Sequence, residues 1–229
     1  MAAYFEQVQW AVRPDCITNN LPPIFDNELD VQTGPVTVQE LRYVIKKIHN
    51  HKAAGMDDIP IDLWKIIAAD DDALQYMVDI CNVCWSQSTI PQSLHKSSVI
   101  ALFKKGDPTC VENYRPISLL QVGYKICAAM VLHRLKTAGA KNRLWPSQFG
   151  FRSGLGTTDA LCMIRRIIDR ALESKNESLL ILALDLSKAF DSICPAGLTN
   201  ALRRFGVPMW ICNLIGDIFN GRIFRNSDT

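Results

Sequence analysis

The chain has 229 residues, 48% hydrophobic and 21% charged, with a formal net charge of +2. That length allows one large domain or two small ones with a sizeable core, and the composition excludes disordered and collagen-like chains. The longest apolar runs fall far short of the roughly 20 residues of a membrane span, and Met1 to Pro14 lacks the basic-then-apolar layout of a signal peptide.

The near-neutral total hides a segregation. Residues 1–94 carry 6 Lys and Arg against 13 Asp and Glu, residues 95–170 carry 13 against 4, and residues 171–229 carry 6 of each. The middle block, net +9, fits a surface facing a polyanion and equally fits a solvated basic face. Eight cysteines are present, six of them in apolar stretches that read as helices. Buried free thiols in an intracellular protein are the expectation, not disulfides. Cys81 and Cys84 have the spacing of a zinc half-site, but on a helix they share a face with Met77 and Val78 and read as core.

Residues 1–36 are expected to be irregular, broken by Pro14, Pro22, Pro23 and Pro35. Thr37 and Glu40 form a capping box for a helix with Val38, Leu41, Val44, Ile45 and Ile48 on one face. A loop runs from His49 to Pro60, and Pro60 opens a short helix to Ile67. Asp70 to Asp72 suit the start of the next helix, whose apolar stripe is Leu74, Met77, Val78, Cys81 and Trp85.

The character changes at Leu94. Ser97 to Phe103 reads as a strand, Lys104 to Pro108 as a turn, and Tyr114 to Leu120 as a second extended piece, because Pro116 forces Arg115 out of the helical region. A helix from Gln121 to Lys136 and a Gly/Pro-rich loop from Gly139 to Gly156 follow. Thr157 is expected to cap a long helix with Leu161, Ile164, Ile167, Ile168 and Leu172 turned inward. Leu179 to Leu184 reads as a strand buried on both faces and ending at Asp185. Pro195 starts a helix to about Phe205, and Pro208 another to about Phe219.

A buried strand delivering a carboxylate at its C-terminal end is one way to build a site for a hard cation such as Mg²⁺. Asp185 alone fits a cap or a surface position as well. Its neighbours say more: Leu184-Asp185-Leu186-Ser187-Lys188-Ala189-Phe190-Asp191 resembles the first palm motif of reverse transcriptases of non-LTR (LINE-type) retrotransposons. Ile100 to Pro108 and Asn113 to Leu120 resemble that family's fingers motifs. Gln148-Phe149-Gly150-Phe151-Arg152 with Thr157-Thr158-Asp159-Ala160 resembles the segment between them. Lys52 to Pro60 is a looser match, where the family usually has Pro at 54 and 56 and Gly at 58. The four segments stand in the family's order over about residues 38–229.

The resemblance implies an α+β chain: a right-hand polymerase's fingers and partial palm, preceded by a helical region. It divides as 1–36 irregular, 37–94 helical, 95–175 fingers and 176–229 the start of a palm. It implies RNA-directed DNA polymerase chemistry on an RNA template, a DNA primer and deoxynucleoside triphosphates, with two Mg²⁺ ions. Asp185 would be the catalytic carboxylate and bind both ions, and Leu186 would add its backbone carbonyl. Arg115 and one of Lys104 or Lys105 would clamp the triphosphate, and Phe190 would gate against a ribose 2′-hydroxyl, with core packing as its other reading. Gln148, Phe151 and Arg152 would touch the template or simply shape their loop. Nuclear action is implied by the resemblance alone.

Two further patterns carry little. Gly154-Leu155-Gly156 lacks the third glycine and preceding strand of a dinucleotide site, and Met56-Asp57-Asp58 lacks the flanking strands of a catalytic hairpin. The family's second palm motif, Gly-x-x-Gln-Gly, and its third, aromatic-x-Asp-Asp, do not occur in these 229 residues. The chain is therefore expected to be an N-terminal half of such an enzyme, truncated or decayed, that does not polymerise on its own. A nucleic-acid-binding remnant and an inert fragment are the competing readings.

Overall fold

A computed structural model describes residues 2–5, 22–174, 178–186, 189–190, 193–219 and 223–226. In chain order its elements are α1 (Ala2–Tyr4), α2 (Val38–Lys47), α3 (Ile61–Ile67), α4 (Asp71–Gln87), β1 (Lys96–Phe103), β2 (Tyr114–Leu120), α5 (Val122–Thr137), α6 (Thr157–Glu173), α7 (Pro195–Arg204), α8 (Met209–Phe219) and β3 (Ile223–Asn226). This is the mixed helix-and-strand composition expected of α+β. The chain forms two compact units: Met1–Ala138 with Phe190–Thr229, and Gly139–Ala189. No helix among the described residues is long and apolar enough to cross a membrane.

The core of the first unit is built by helices whose apolar residues recur every three or four positions. Leu41, Val44 and Ile45 of α2 are buried, with Leu74, Val78 and Trp85 of α4, Ile126, Met130 and Val131 of α5, and Ile211, Leu214 and Ile218 of α8. Trp85 meets Trp210 edge to face at 4.8 Å, joining α4 to α8. The helix starts obey their capping chemistry. The Thr37 hydroxyl accepts from the Glu40 amide, the Glu40 carboxylate accepts from the Thr37 amide, and Asp70 accepts from the Ala73 amide at 2.8 Å.

The sheet has the order β2-β1-β3, with β2 antiparallel and β3 parallel to β1. β1 and β2 stand where the sequence puts them. β3 was not foreseen, because four residues are too few for a period-two pattern to register.

One buried cation ties the first unit together. Arg134 on α5, only 2% exposed, lies in the block counted above as a basic surface. Its Nη1 donates to the Gln32 and Gly34 carbonyls at 2.9 and 2.7 Å, and Nη2 donates to the Pro35 carbonyl at 3.0 Å. Nε and Nη2 grip the two Glu40 oxygens at 3.0 Å each, and the guanidinium lies 4.4 Å from the Trp85 ring centroid. Burial opposes the charge on Glu40, but the hydrogen bonds from Arg134 and Thr37 and the nearby cations outweigh it and hold the carboxyl below its ordinary value.

Four expectations are corrected. Leu179–Leu184 forms no strand; it is irregular and exposed, Leu180 at 95%. A strand exists only through ladder partners, and none among the described residues pairs with this run. The apolar face of α6 is likewise not buried: Leu161, Ile164, Ile167 and Leu172 are exposed. The cap of α6 is Gly156 in place of Thr157, and the Gly156 amide donates to Asp159 at 2.7 Å. Cysteine usage is mixed. Cys212 is buried, and burial pushes the thiols of Cys81 and Cys127 up to about 11 and about 12, whereas Cys110 and Cys162 are exposed and Cys194 is disulfide-bonded.

Replacing Arg134 by Met is expected to cost about 3–5 kcal/mol in urea unfolding, because it strands the Glu40 carboxylate and three carbonyls. Since the Glu40 carboxyl is lowered in the folded state, its share of stability is present above the ordinary carboxylate value and fades as pH falls through the lowered one. Glu40→Gln should flatten that acid limb in unfolding measured across pH.

Candidate functional site

The β1–β2 hairpin carries Lys104, Lys105 and Arg115. Its register sets Ile100 opposite Ile117, Leu102 opposite Arg115 and Phe103 opposite Tyr114. Alternation therefore splits the hairpin into two faces. Ser97 and Val99 point into the core, whereas Ile100, Leu102, Ile117 and Arg115 occupy the exposed face. Lys104 directly follows β1 and Lys105 stands in the turn beyond it; both are exposed.

The connecting turn is held by a hydrogen-bond set of its own. Gly106 adopts φ +98, and a Cβ there would meet the Asn113 side chain at 2.8 Å. The Asp107 carboxylate accepts from the Thr109 hydroxyl at 2.7 Å and amide at 2.8 Å, bonds that keep its carboxyl below the usual value. The Asn113 amide side chain donates to the Asp107 carbonyl at 2.9 Å, and the Lys104 backbone amide donates to the Asn113 carbonyl at 2.8 Å. Lys104 and Lys105 are thus presented to solvent from a fixed turn, and Arg115 from a strand.

The base of the hairpin is clamped from the helical region. Gln121, the N-cap of α5, donates from Nε2 to the Ser93 carbonyl at 2.9 Å. Gly55 is buried against it, where a Cβ would lie 2.5 Å from the Gln121 Cα. Lys125 Nζ donates to the Ala53 carbonyl at 3.2 Å; burial pushes its ammonium below the ordinary value, against the pull of Asp57. Asp58 holds φ +53, a left-handed conformation, at the position where the resembled family usually has Gly. The 52–60 loop is therefore a packing piece beneath the hairpin.

In the unit Gly139–Ala189, Arg152 Nη1 donates to the carbonyls of Trp145, Pro146 and Gln148 at 3.0, 3.3 and 3.4 Å, and Gln148 Nε2 donates to the Gly150 carbonyl at 3.4 Å. Arg152 braces its loop from within. That loop displays Phe151, 93% exposed at φ +60, and Trp145, 73% exposed. Sequence reasoning passed over Trp145; its signal was an aromatic between Arg143 and Arg152 in a stretch, 139–156, without Asp or Glu. Asp185 and Leu186 belong to this unit, in the exposed irregular run 178–186. Phe190 belongs to the other unit and is exposed, not in the core. Ser187, Lys188 and Asp191 lie outside the described residues.

Among the described residues, no group of three or more His, Cys, Asp or Glu is placed to hold a metal ion. Asp185 and the Leu186 carbonyl are oxygen donors of the right kind for a hard divalent cation, but two donors do not hold an octahedral ion, still less two ions. The residues present do not by themselves fit a two-ion centre.

Comparison with known proteins gives a consistent picture. The family profile "Reverse transcriptase (RNA-dependent DNA polymerase)" matches residues 102–228, more than half of the chain. An RNA-directed DNA polymerase from mobile element jockey of Drosophila funebris is 32% identical over 201 residues, covering 86% of this chain and 21% of the relative. Its Drosophila melanogaster counterpart is 33% identical over 185 residues, covering 79% and 20%. A probable RNA-directed DNA polymerase from transposon BS of the same fly is 26% identical over 179 residues, covering 77% and 19%. The chain thus spans about a fifth of the length of these curated relatives.

Two substitutions test the packing of the 52–60 loop, both read by thermal unfolding. Asp58→Gly relieves a left-handed backbone and should stabilise by about 0.5–1 kcal/mol. Gly55→Ala drives a methyl group into the Gln121 backbone and should destabilise by about 1–3 kcal/mol.

Proposed function

The chain belongs to the reverse transcriptase family, and from that premise we propose that it is the fingers and opening palm segment of a retrotransposon RNA-directed DNA polymerase. Its substrates on this reading are deoxynucleoside triphosphates, an RNA template and a DNA primer. The observation that carries the reading is Arg115 on the exposed face of a braced hairpin, with Lys104 exposed at the end of the paired strand β1. A guanidinium grips phosphate oxygens in a fork and an ammonium adds a point charge, so this pair suits a triphosphate. Between the two lysines the reading favours Lys104, because it directly follows β1 and its backbone amide still pairs across to Asn113, whereas Lys105 stands in the turn.

The remaining roles follow residue by residue. Phe190 is assigned as the gate against a 2′-hydroxyl. Phe151 and Gln148 are assigned to the template, with Trp145 as an added stacking ring, and Arg152 positions their loop. Nucleotidyl transfer in this family is generally metal-dependent. Mg²⁺ is the cation we assign, two ions in a complete centre, because Asp185 and the Leu186 carbonyl are hard oxygen donors; further carboxylates must join them. Residues 37–94 serve as the helical support, 95–175 as fingers and 176–229 as palm.

Binding without catalysis is the second reading, favoured by the absence, among the described residues, of a carboxylate cluster placed to hold a metal ion. Primer extension on an RNA template tests whether the 229-residue chain catalyses by itself. No extension is expected from this chain alone; extension that vanishes in Asp185→Ala would overturn that expectation. Triphosphate binding, measured by calorimetry, tests the hairpin. Arg115→Gln and Lys104→Gln should each weaken it by about tenfold or more, the loss of a charge-assisted contact, and Lys105→Gln should change it little. A larger loss in Lys105→Gln than in Lys104→Gln would reverse the choice of lysine.

A further inference from the structure

We propose that the face shared by α2 and α5 is a second surface for single-stranded nucleic acid, distinct from the β1–β2 hairpin. Tyr43, Lys46 and Lys47 stand at i, i+3 and i+4 and so share one side of α2. The Tyr43 ring, 49% exposed, lies 4.9 Å from the ring of His133 on α5, and Lys47 Nζ lies 5.5 Å from the Tyr43 centroid. Two helices that Arg134 and Glu40 lock together therefore fix this ring pair at the surface. Lys136, one turn beyond His133, is exposed on α5.

The electrostatics favour an anion. Residues 42–52 hold Arg42, Lys46, Lys47, Lys52, His49 and His51 without an Asp or Glu, and α5 has no acidic residue at all. The basic strip was hidden in the sequence by the acidic total of residues 1–94. Nearby carboxylates are spoken for: Asp71 pairs with Arg42, Asp62 faces His51 at 3.8 Å, and Glu40 is gripped by Arg134. Among the described residues no carboxylate pairs with Lys46, Lys47 or Lys136.

Lysines beside an exposed aromatic ring are the arrangement that takes an unpaired strand: the ammoniums neutralise phosphates, and an unstacked base lies on the ring without sequence preference. A duplex offers its phosphates but keeps its bases stacked, so the ring selects a single strand. RNA and single-stranded DNA share this chemistry, and the experiment separates them.

Fluorescence anisotropy of labelled oligouridylate and oligothymidylate over a salt series tests the surface, using the full 229-residue chain. The background is Lys104→Gln with Arg115→Gln, which removes the hairpin's contribution; salt-dependent binding should survive there. Adding Lys46→Gln with Lys47→Gln should lower affinity roughly tenfold and flatten the log–log salt slope by about 1.4, or about 0.7 for each lost phosphate contact. Tyr43→Ala should weaken binding about fivefold or more even at high salt, whereas Tyr43→Phe keeps the ring and the affinity. Losses on both probes assign the surface to either strand, and a loss on the RNA probe alone assigns it to RNA. An unchanged slope in the lysine variant, or wild-type affinity in Tyr43→Ala, would overturn the proposal. If triphosphate binding is insensitive to Arg115 while these losses appear, the hairpin reading alone fails.

Discussion

Arg134 is a fully enclosed cation in the middle of the first unit, and the rest of that unit is arranged to keep it satisfied. An isolated buried guanidinium would be costly, so its donors must all be answered. Three carbonyls from residues 32–35 and both Glu40 oxygens do so, and the Trp85 ring covers its face. Because Glu40 also closes the cap of α2, one side chain fixes the entry segment, the start of α2 and the packing of α2, α4 and α5. The consequence reaches the hairpin. α5 begins at Gln121, directly after β2, and Gln121 is clamped to Ser93 and Gly55. A cation far from solvent thus helps set where Arg115 and Lys104 are held.

Much of this architecture was legible, and the limits are physical. The Thr37–Glu40 capping box, the Asp70 cap, the strand pair and the helix boundaries near Pro195 and Pro208 are local patterns, visible within a few residues. Arg134 was invisible as a core residue because its partners lie about a hundred positions away, so a charge count placed it on a surface. Leu179–Leu184 and the apolar face of α6 fail for the opposite reason. Their patterns are strong, but a pattern reports only what a segment can bury, and among the described residues nothing covers either one.

The candidate site divides along the same line. Arg115, the two lysines and Asp185 were readable as motif letters, and the end of the β1 pairing then separates Lys104 from Lys105, a distinction no motif contains. Arg152 looked like a ligand and is committed to three carbonyls of its own loop. Trp145 and Tyr43 were missed because an aromatic in sequence is presumed buried; only exposure reveals that these rings face solvent.

On the proposed reading, the outer face of the β1–β2 hairpin receives the incoming nucleotide. Photo-cross-linking with an azido-deoxyadenosine triphosphate, in the presence of an RNA template and DNA primer, followed by peptide mapping, tests it most directly. Adducts are expected within the peptide spanning Ile100 to Ile117, lost on competition with unlabelled triphosphate. Competable adducts confined to peptides outside that hairpin would contradict it.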